Sequence, residues 1–358
     1  MAHPEIDNRT PFAFEPLFIA DEDGRPIVVP IVKATFDVSA RGEVTLGETQ
    51  VPVDFRGALY GEPAKSSPRL EPETAFFKPA TDCVLIGHAV SEHPTTQLDV
   101  GVRVGPVTKV ARVTGNRWWL EGAVGLTMSS PEPFRLMPLV YERAFGGWDR
   151  TPEKEEDHQY EPRNPVGVGF VGKHGFAKTG SPLPNIEDPS QMLTSPTGRV
   201  RPTGFGFLGV EWQPRVSFAG TYDEEWTKNR APLLPTDFDR RFFNAASEGL
   251  VAAGYLRGDE WVQAFGVTLE GKWEFRLPGV ATPMVTVAVR LGGDIPLETN
   301  LDTVIVDADA RRLTLIWRTF TTLRSGPHDV SAIRITSTTH VRAQALETAS
   351  ESAVASST

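Results

Sequence analysis

One cysteine in 358 residues, Cys83, excludes an intramolecular disulfide and leaves no set of thiolates for a Cys-built zinc site, which points to a reducing compartment. Long apolar runs are missing too. None approaches the ~20 residues that a membrane-spanning helix requires, and the N-terminal MAHPEIDNRTPFAFEP has no basic stretch leading into an apolar core. Export by a cleaved signal and membrane insertion are not expected, and the cytoplasm is the expected location. Positive charge is also in short supply. With 36 Lys and Arg against 46 Asp and Glu, the net charge of −10 repels phosphate backbones and anionic lipid, so neither nucleic acid nor membrane is an expected partner. The pairs Arg240-Arg241 and Arg311-Arg312 stand alone and read as solvated charge.

What the chain does have is glycine (32) and proline (30), falling between short alternating apolar runs, the pattern of strands separated by turns. Gln97 to Val104 alternates throughout and predicts a strand with one face on the core. Residues 27–38 begin fully apolar and then alternate, and Pro30 inside them argues for an edge or a bulge. Further strands are expected at 83–90, 107–113, 117–121, 261–269 and 284–291. Thr303 to Val306 and Arg312 to Trp317 flank Asp307-Ala308-Asp309-Ala310, a hairpin whose turn aspartates can fold onto their own backbone and whose second strand puts Leu313, Leu315 and Trp317 on one face.

Residues 138–254 carry little periodicity and read as loops with one or two short helices. The best helix candidate is 239–253, with Asp239 as cap and Phe242, Phe243, Ala246 and Leu250 on one side. So long a loop must be pinned to the strands by its aromatics and buried polar groups. The expected fold is mainly β, with antiparallel, sandwich-like sheets from the N- and C-terminal regions around a Gly/Pro-rich centre. It is taken as one domain, 10–340, divisible into an N-terminal lobe 10–137, the central region 138–254 and a C-terminal lobe 255–340; two packed β lobes are the alternative. The Ala/Ser-rich 341–358 tail is expected to be disordered.

Catalytic motifs fail on context. Gly167-Val168-Gly169-Phe170-Val171-Gly172 fits GxGxxG, but Asn164-Pro165 before it and Lys173-His174-Gly175 after it are turn formers, so it reads as a glycine loop closely approached by another backbone. No His pair has metal-ligand spacing, no GxSxG elbow occurs, His88 reads as a hydrogen-bonded strand residue and Cys83 as inert filling of an apolar strand. No cofactor or metal is expected. Asp223, Asp237 and Asp239 could in principle serve a β-rich hydrolase acting on carbohydrate. The competing reading makes them caps and ion-pair partners of Arg230, Arg240 and Arg241.

The central stretch also carries Tyr141-Glu142-Arg143-Ala144-Phe145-Gly146-Gly147, Glu161-Pro162-Arg163-Asn164-Pro165-Val166-Gly167-Val168-Gly169-Phe170 and Leu183-Pro184-Asn185-Ile186-Glu187. Later come Trp212-Gln213-Pro214-Arg215, Gly220-Thr221-Tyr222-Asp223, Trp226, and Leu233 to Ala246 with its Asp237-Phe238-Asp239-Arg240-Arg241-Phe242-Phe243-Asn244. Val32 to Phe36, Leu301 to Val304 and Leu315 to Arg318 complete a series that resembles the bacterial family known as domain of unknown function 2169, over roughly Phe12 to Leu323. The resemblance implies an adaptor or chaperone that holds a toxic effector of a type VI secretion machine and helps mount it on the spike and tip proteins. It brings no catalytic residues.

The residues expected to bind protein or organise the loops are Arg143, Phe145, Gly146, Gly147, Arg163, Asn164, Gly167, Gly169, Asp223, Trp226, Asp237, Asp239, Arg241, Phe243 and Asn244. Trp, Tyr, Phe and Arg dominate affinity at protein interfaces. Under the competing reading, the same aromatics fill the core while Arg143, Arg163, Arg215 and Arg241 pair with Glu142, Glu161, Asp223 and Asp239. A structural component of the secreted spike is a third possibility, distinguished by whether the protein leaves the cell.

Overall fold

The computed structural model describes residues 4–337, so the 341–358 tail lies outside it. The chain is mainly β. The largest sheet has the order Ala13–Ala20, Pro26–Val38, Arg312–Arg318, Asn300–Asp307, Asp82–Ile86, with Val44–Leu46 and Thr321–Thr322 added along Pro26–Val38. A second runs Ile186–Glu187, Val107–Thr114, Gln97–Val104, Trp261–Phe265, Lys272–Arg276. A third runs Glu5–Asn8, Val330–Thr336, Met284–Val289, Gly293–Glu298. Neighbours are antiparallel except Asp82–Ile86 beside Asn300–Asp307 and Glu5–Asn8 beside Val330–Thr336. All three sheets mix strands from both ends of the chain, so the 137 and 255 boundaries cut across sheets.

Pro26–Val38 reads as apolar because it is covered on both faces. Val28, Val32, Ala34 and Phe36 join the main core, with Val100, Val102, Val262 and Ala264 of the second sheet and Val285 and Ile333 of the third. Ile27, Val29 and Ile31 face the opposite way, onto Phe76, Leu234, Phe243 and Phe320. Leu313, Leu315 and Trp317 share the main core as the hairpin pattern required, while Ile316 faces the other layer.

Several expectations need correction. Pro30 is neither at an edge nor in a bulge: it lies opposite Pro16 in an internal strand, in the gap between the ladders that end at Ile31↔Arg318 and resume at Val28↔Thr321. A residue without an N–H costs nothing where no ladder bond is made. The 83–90 run splits at Gly87, whose φ of +146° turns the chain from Asp82–Ile86 into His88–Thr95, a strand that pairs with Phe134–Pro138 instead. Of the turn aspartates only Asp307 bonds its own loop, at Ala310 N; Asp309 instead binds half-buried His88, 2.7 Å away.

The expected helix at 239–253 is only a 3-10 turn, Arg240–Phe243. Its cap is as foreseen, with Asp239 accepting from Arg241 N. Beyond the turn the backbone is diverted into sheet-like bonds, Leu208 N to Ala245 O at 2.7 Å and a bridge from Phe207 to Ala246, and these compete with helix. The α-helix among the described residues is Glu224–Asn229, capped by the Asp223 carboxylate on Trp226 N.

A buried ionic network ties the centre to the sheets. Asp82, fully buried, accepts from Lys78 Nζ (2.7 Å), Asn244 Nδ2 (2.9 Å) and Ala245 N (3.0 Å). Lys78 also donates to Thr303 Oγ1 at 3.0 Å, and Arg318 pairs with Asp302 at 2.6 Å. Asn244 donates as well to Ala80 O, so its amide orientation is fixed from two sides. Nearby, Lys33 pairs with Glu73 at 2.6 Å with both side chains nearly buried.

Candidate protein-binding site

The first half of the predicted residues does come together. Asn164, fully buried, donates through Nδ2 to Tyr141 O (2.8 Å) and Phe145 O (3.0 Å), while its own carbonyl accepts from Gly147 N (2.8 Å). Phe145–Gly146 runs parallel to Val168–Gly169, completed by bonds from Val168 N to Ala144 O and Phe170 N to Gly146 O. Glycine is required by contact here. A Cβ on Gly147, at φ +91°, would sit 2.2 Å from Gly167 O, and one on Gly167 would sit 2.5 Å from Ala144 O. The GxGxxG run is thus a closely packed crossing of two backbone segments.

This crossing forms the floor of two adjoining grooves that share Val168 and Pro182. One, of about 380 Å³, is lined by the Gly146, Gly167 and Gly169 backbone and by Trp148, Phe170 and Phe176. Trp148 is 47% and Phe176 58% exposed, well above what packing would leave. Trp148 stacks on Tyr160 with ring centroids 4.4 Å apart, and Arg150 lies over its ring. The other groove, of about 430 Å³, contains Asn116, Trp118, Arg143 and Asn185. Arg143 does not pair with Glu142, which accepts from Ser67 N and Oγ instead. Its guanidinium donates to Asn185 Oδ1 (3.1 Å) and Asn116 Oδ1 (3.4 Å).

The remaining predicted residues lie along a second loop system that reaches the first through Tyr141, edge-on to Trp212. Asp237 holds Thr221 N (2.9 Å) and Thr221 Oγ1 (2.8 Å), bonds that keep its carboxyl below the ordinary carboxylate range. Asp239 is likewise lowered, by the Arg241 guanidinium, whose Nε and Nη2 both donate to Oδ2, and by the Arg241 backbone N–H on Oδ1. Trp226 donates to Leu233 O and packs against Tyr222, and Phe243 packs edge-on against Phe76. The Arg163–Glu161 and Arg241–Asp239 pairs are as expected, although Arg241 is exposed. Arg215 pairs with Glu71, not Asp223, and Arg230 and Arg240 pair with Asp23 and Glu22. Arg240 is no solvated charge, being half-buried over Phe76, Phe77 and Phe320. Arg311 is similar, bound to Glu270 above Trp273.

Sequence reasoning missed Trp148, Asn116 and Lys109, and saw Asn185 only as part of a phrase. Trp148 directly follows the Gly146-Gly147 pair, a signal that was present. Lys109 projects from the second sheet to Ser247 Oγ (2.5 Å) and Glu248 O (2.7 Å), and burial pushes its amine down to about 8. Cys83 is buried, and that burial pushes its thiol up, as suits an unreactive filling residue. Among the described residues no group of His, Cys, Asp and Glu is placed to hold a metal, and no helix is long and apolar enough to cross a membrane.

A family model described as an uncharacterized protein conserved in bacteria (DUF2169) matches residues 23–318. No curated protein and no solved structure matches the chain.

Proposed function

The chain belongs to this bacterial family, and we propose that it is a non-catalytic adaptor that holds a toxic effector of a type VI secretion machine and helps load it onto the spike and tip proteins. The observation that carries this reading is the glycine-floored groove, where Trp148, backed by the Tyr160 ring, and Phe176 stay exposed beside Arg150 on a backbone crossing that leaves little freedom to move. Rigid aromatic and arginine side chains give large contact area for little ordering entropy, which is what a binding surface needs.

The acids weighed for hydrolysis favour the same reading. Asp223 caps a helix, Asp237 staples Thr221, and Asp239 is tied to Arg241. A glycosidase acid must stay protonated near neutral pH, whereas Asp237 and Asp239 are both shifted the other way.

The test is co-expression with the effector and spike proteins encoded beside the gene, followed by affinity purification. Co-purification of an effector, weakened at least about tenfold by Trp148→Ala, is expected, since truncating a central interface tryptophan costs ~2 kcal/mol or more. Failure to recover any of those proteins removes the adaptor reading.

A further inference from the structure

We infer that Arg143 is the anchor for a carboxylate side chain on the bound partner, an Asp or Glu within an extended segment that lies along the two adjoining grooves. This rests on the adaptor reading and adds the chemistry that its partner must present.

The argument starts from a contrast. Ten arginines among the described residues are buried or half-buried: Arg112, Arg117, Arg143, Arg163, Arg215, Arg230, Arg240, Arg311, Arg312 and Arg318. Nine of them have a carboxylate within 4.0 Å. Arg143 alone has none. The chain does not lack acids, since its net charge is −10. The acid next to Arg143, Glu142, lines the same groove but spends both carboxylate oxygens on Ser67 N and Oγ, and Arg117 there is already matched by Glu187 at 2.5 Å.

Arg143 is nonetheless held in place. Asn185 Oδ1 and Asn116 Oδ1 both receive its Nη1. Asn185 is fixed in turn through its Nδ2 bond to Thr114 O (2.9 Å) and its backbone N–H bond to Arg143 O (2.7 Å). Neutral amide oxygens orient a guanidinium without cancelling its charge, so the Nε and Nη2 fork is left to an incoming acceptor. A carboxylate matches that fork in two parallel bonds. Partial burial weakens solvent screening and strengthens the pair.

The groove around Arg143 meets the aromatic groove at Val168 and Pro182. An extended segment can therefore place an acid on Arg143 and an apolar side chain against Trp148, Phe170 and Phe176.

The experiment is an array of random peptides, acetylated and amidated so that they carry no terminal charge, probed with the full-length protein, with Arg143→Gln and with Arg143→Lys. The wild type should prefer Asp or Glu over Asn or Gln by about tenfold or more at one position near an apolar residue. Arg143→Gln should lose that preference, and Arg143→Lys, which keeps the charge but not the fork, should keep part of it. Urea midpoints show whether either variant is folded; should Arg143→Gln unfold, Arg143→Lys and the wild-type preference decide.

No binders, no acid preference in the wild type, or an unchanged preference in Arg143→Gln would overturn the assignment. So would binding that appears only on a parallel array whose peptides keep a free C-terminal carboxylate. Effector co-purification that survives Arg143→Gln sinks this inference and leaves the adaptor reading standing. A clear acid preference with no effector recovered does the reverse.

Discussion

Replacing Asp82 by Asn changes almost no volume, yet it removes the negative centre of a fully buried site. In the native protein Lys78 and Arg318 face Asp82 and Asp302, two charges of each sign, with the four side chains at most 3% exposed. After Asp82→Asn one positive charge is in excess. Breaking a buried pair from one side costs about 3–5 kcal/mol, because the remaining ion keeps its desolvation penalty.

Hydrogen bonding worsens the mismatch. The carboxylate accepts from Lys78, Asn244 and Ala245, whereas an amide offers one oxygen and must turn its NH2 group toward another donor. Asn244 cannot flip to help without abandoning Ala80 O. The double variant Lys78→Met, Asp82→Asn removes the stranded ammonium and should recover at least about 1 kcal/mol of the loss. Urea unfolding of the wild type, the single variants Asp82→Asn and Lys78→Met, and the double variant, with an unchanged slope against denaturant, measures this cycle. Amide exchange should show the Arg240 to Ser247 backbone opening first, because its bonds to Asp82 are the ones cut. A loss below about 1 kcal/mol for Asp82→Asn, or a double variant less stable than Asp82→Asn alone, would refute the account.

Other outcomes follow from contacts described above. Gly147→Ala should cost at least ~2 kcal/mol, because its Cβ meets Gly167 O, whereas Gly249→Ala, at φ +84° with nothing within 4 Å, should cost ~1 kcal/mol; thermal melts compare them. Lys109 is held at about 8, below its unfolded value, so the unfolded chain binds more protons between about pH 8 and 10 and this group makes stability rise with pH there. Lys109→Met should flatten that rise by up to ~1.4 kcal/mol per pH unit in urea titrations, and an identical slope would contradict the burial argument. Asp223→Asn, Asp237→Asn and Asp239→Asn should leave effector recovery within about twofold, since Asn still caps and none of the three touches the groove; abolition of a hydrolytic activity by any of them would instead favour an enzyme.

Strand content was readable wherever one rule governed a stretch. The alternation in Gln97–Val104 and the hairpin ending in Leu313, Leu315 and Trp317 each bury one face against a single layer, so periodicity sufficed. The two faces of Pro26–Val38 meet different layers, and there the pattern showed burial without showing that the strand is internal. Ion partners were legible only at the shortest range. Arg163 and Arg241 pair two residues away, but Arg215 reaches Glu71 and Asn244 reaches Asp82 across more than half the central region and beyond it. Such contacts depend on how the loop winds back over the sheets. For the same reason the isolation of Arg143 could not be read from the chain, where Glu142 stands directly beside it.

The middle of the largest sheet joins Pro26–Val38 to Arg312–Arg318. During synthesis the earlier strand therefore emerges long before its neighbour exists, with apolar side chains on both sides and a bare ladder edge. Nascent chains that stop short of residue 312 cannot close this sheet, and non-local pairing of this kind makes folding slow. Shielding of the growing polypeptide should thus limit the yield of active protein, and fragments cut from its first half should aggregate.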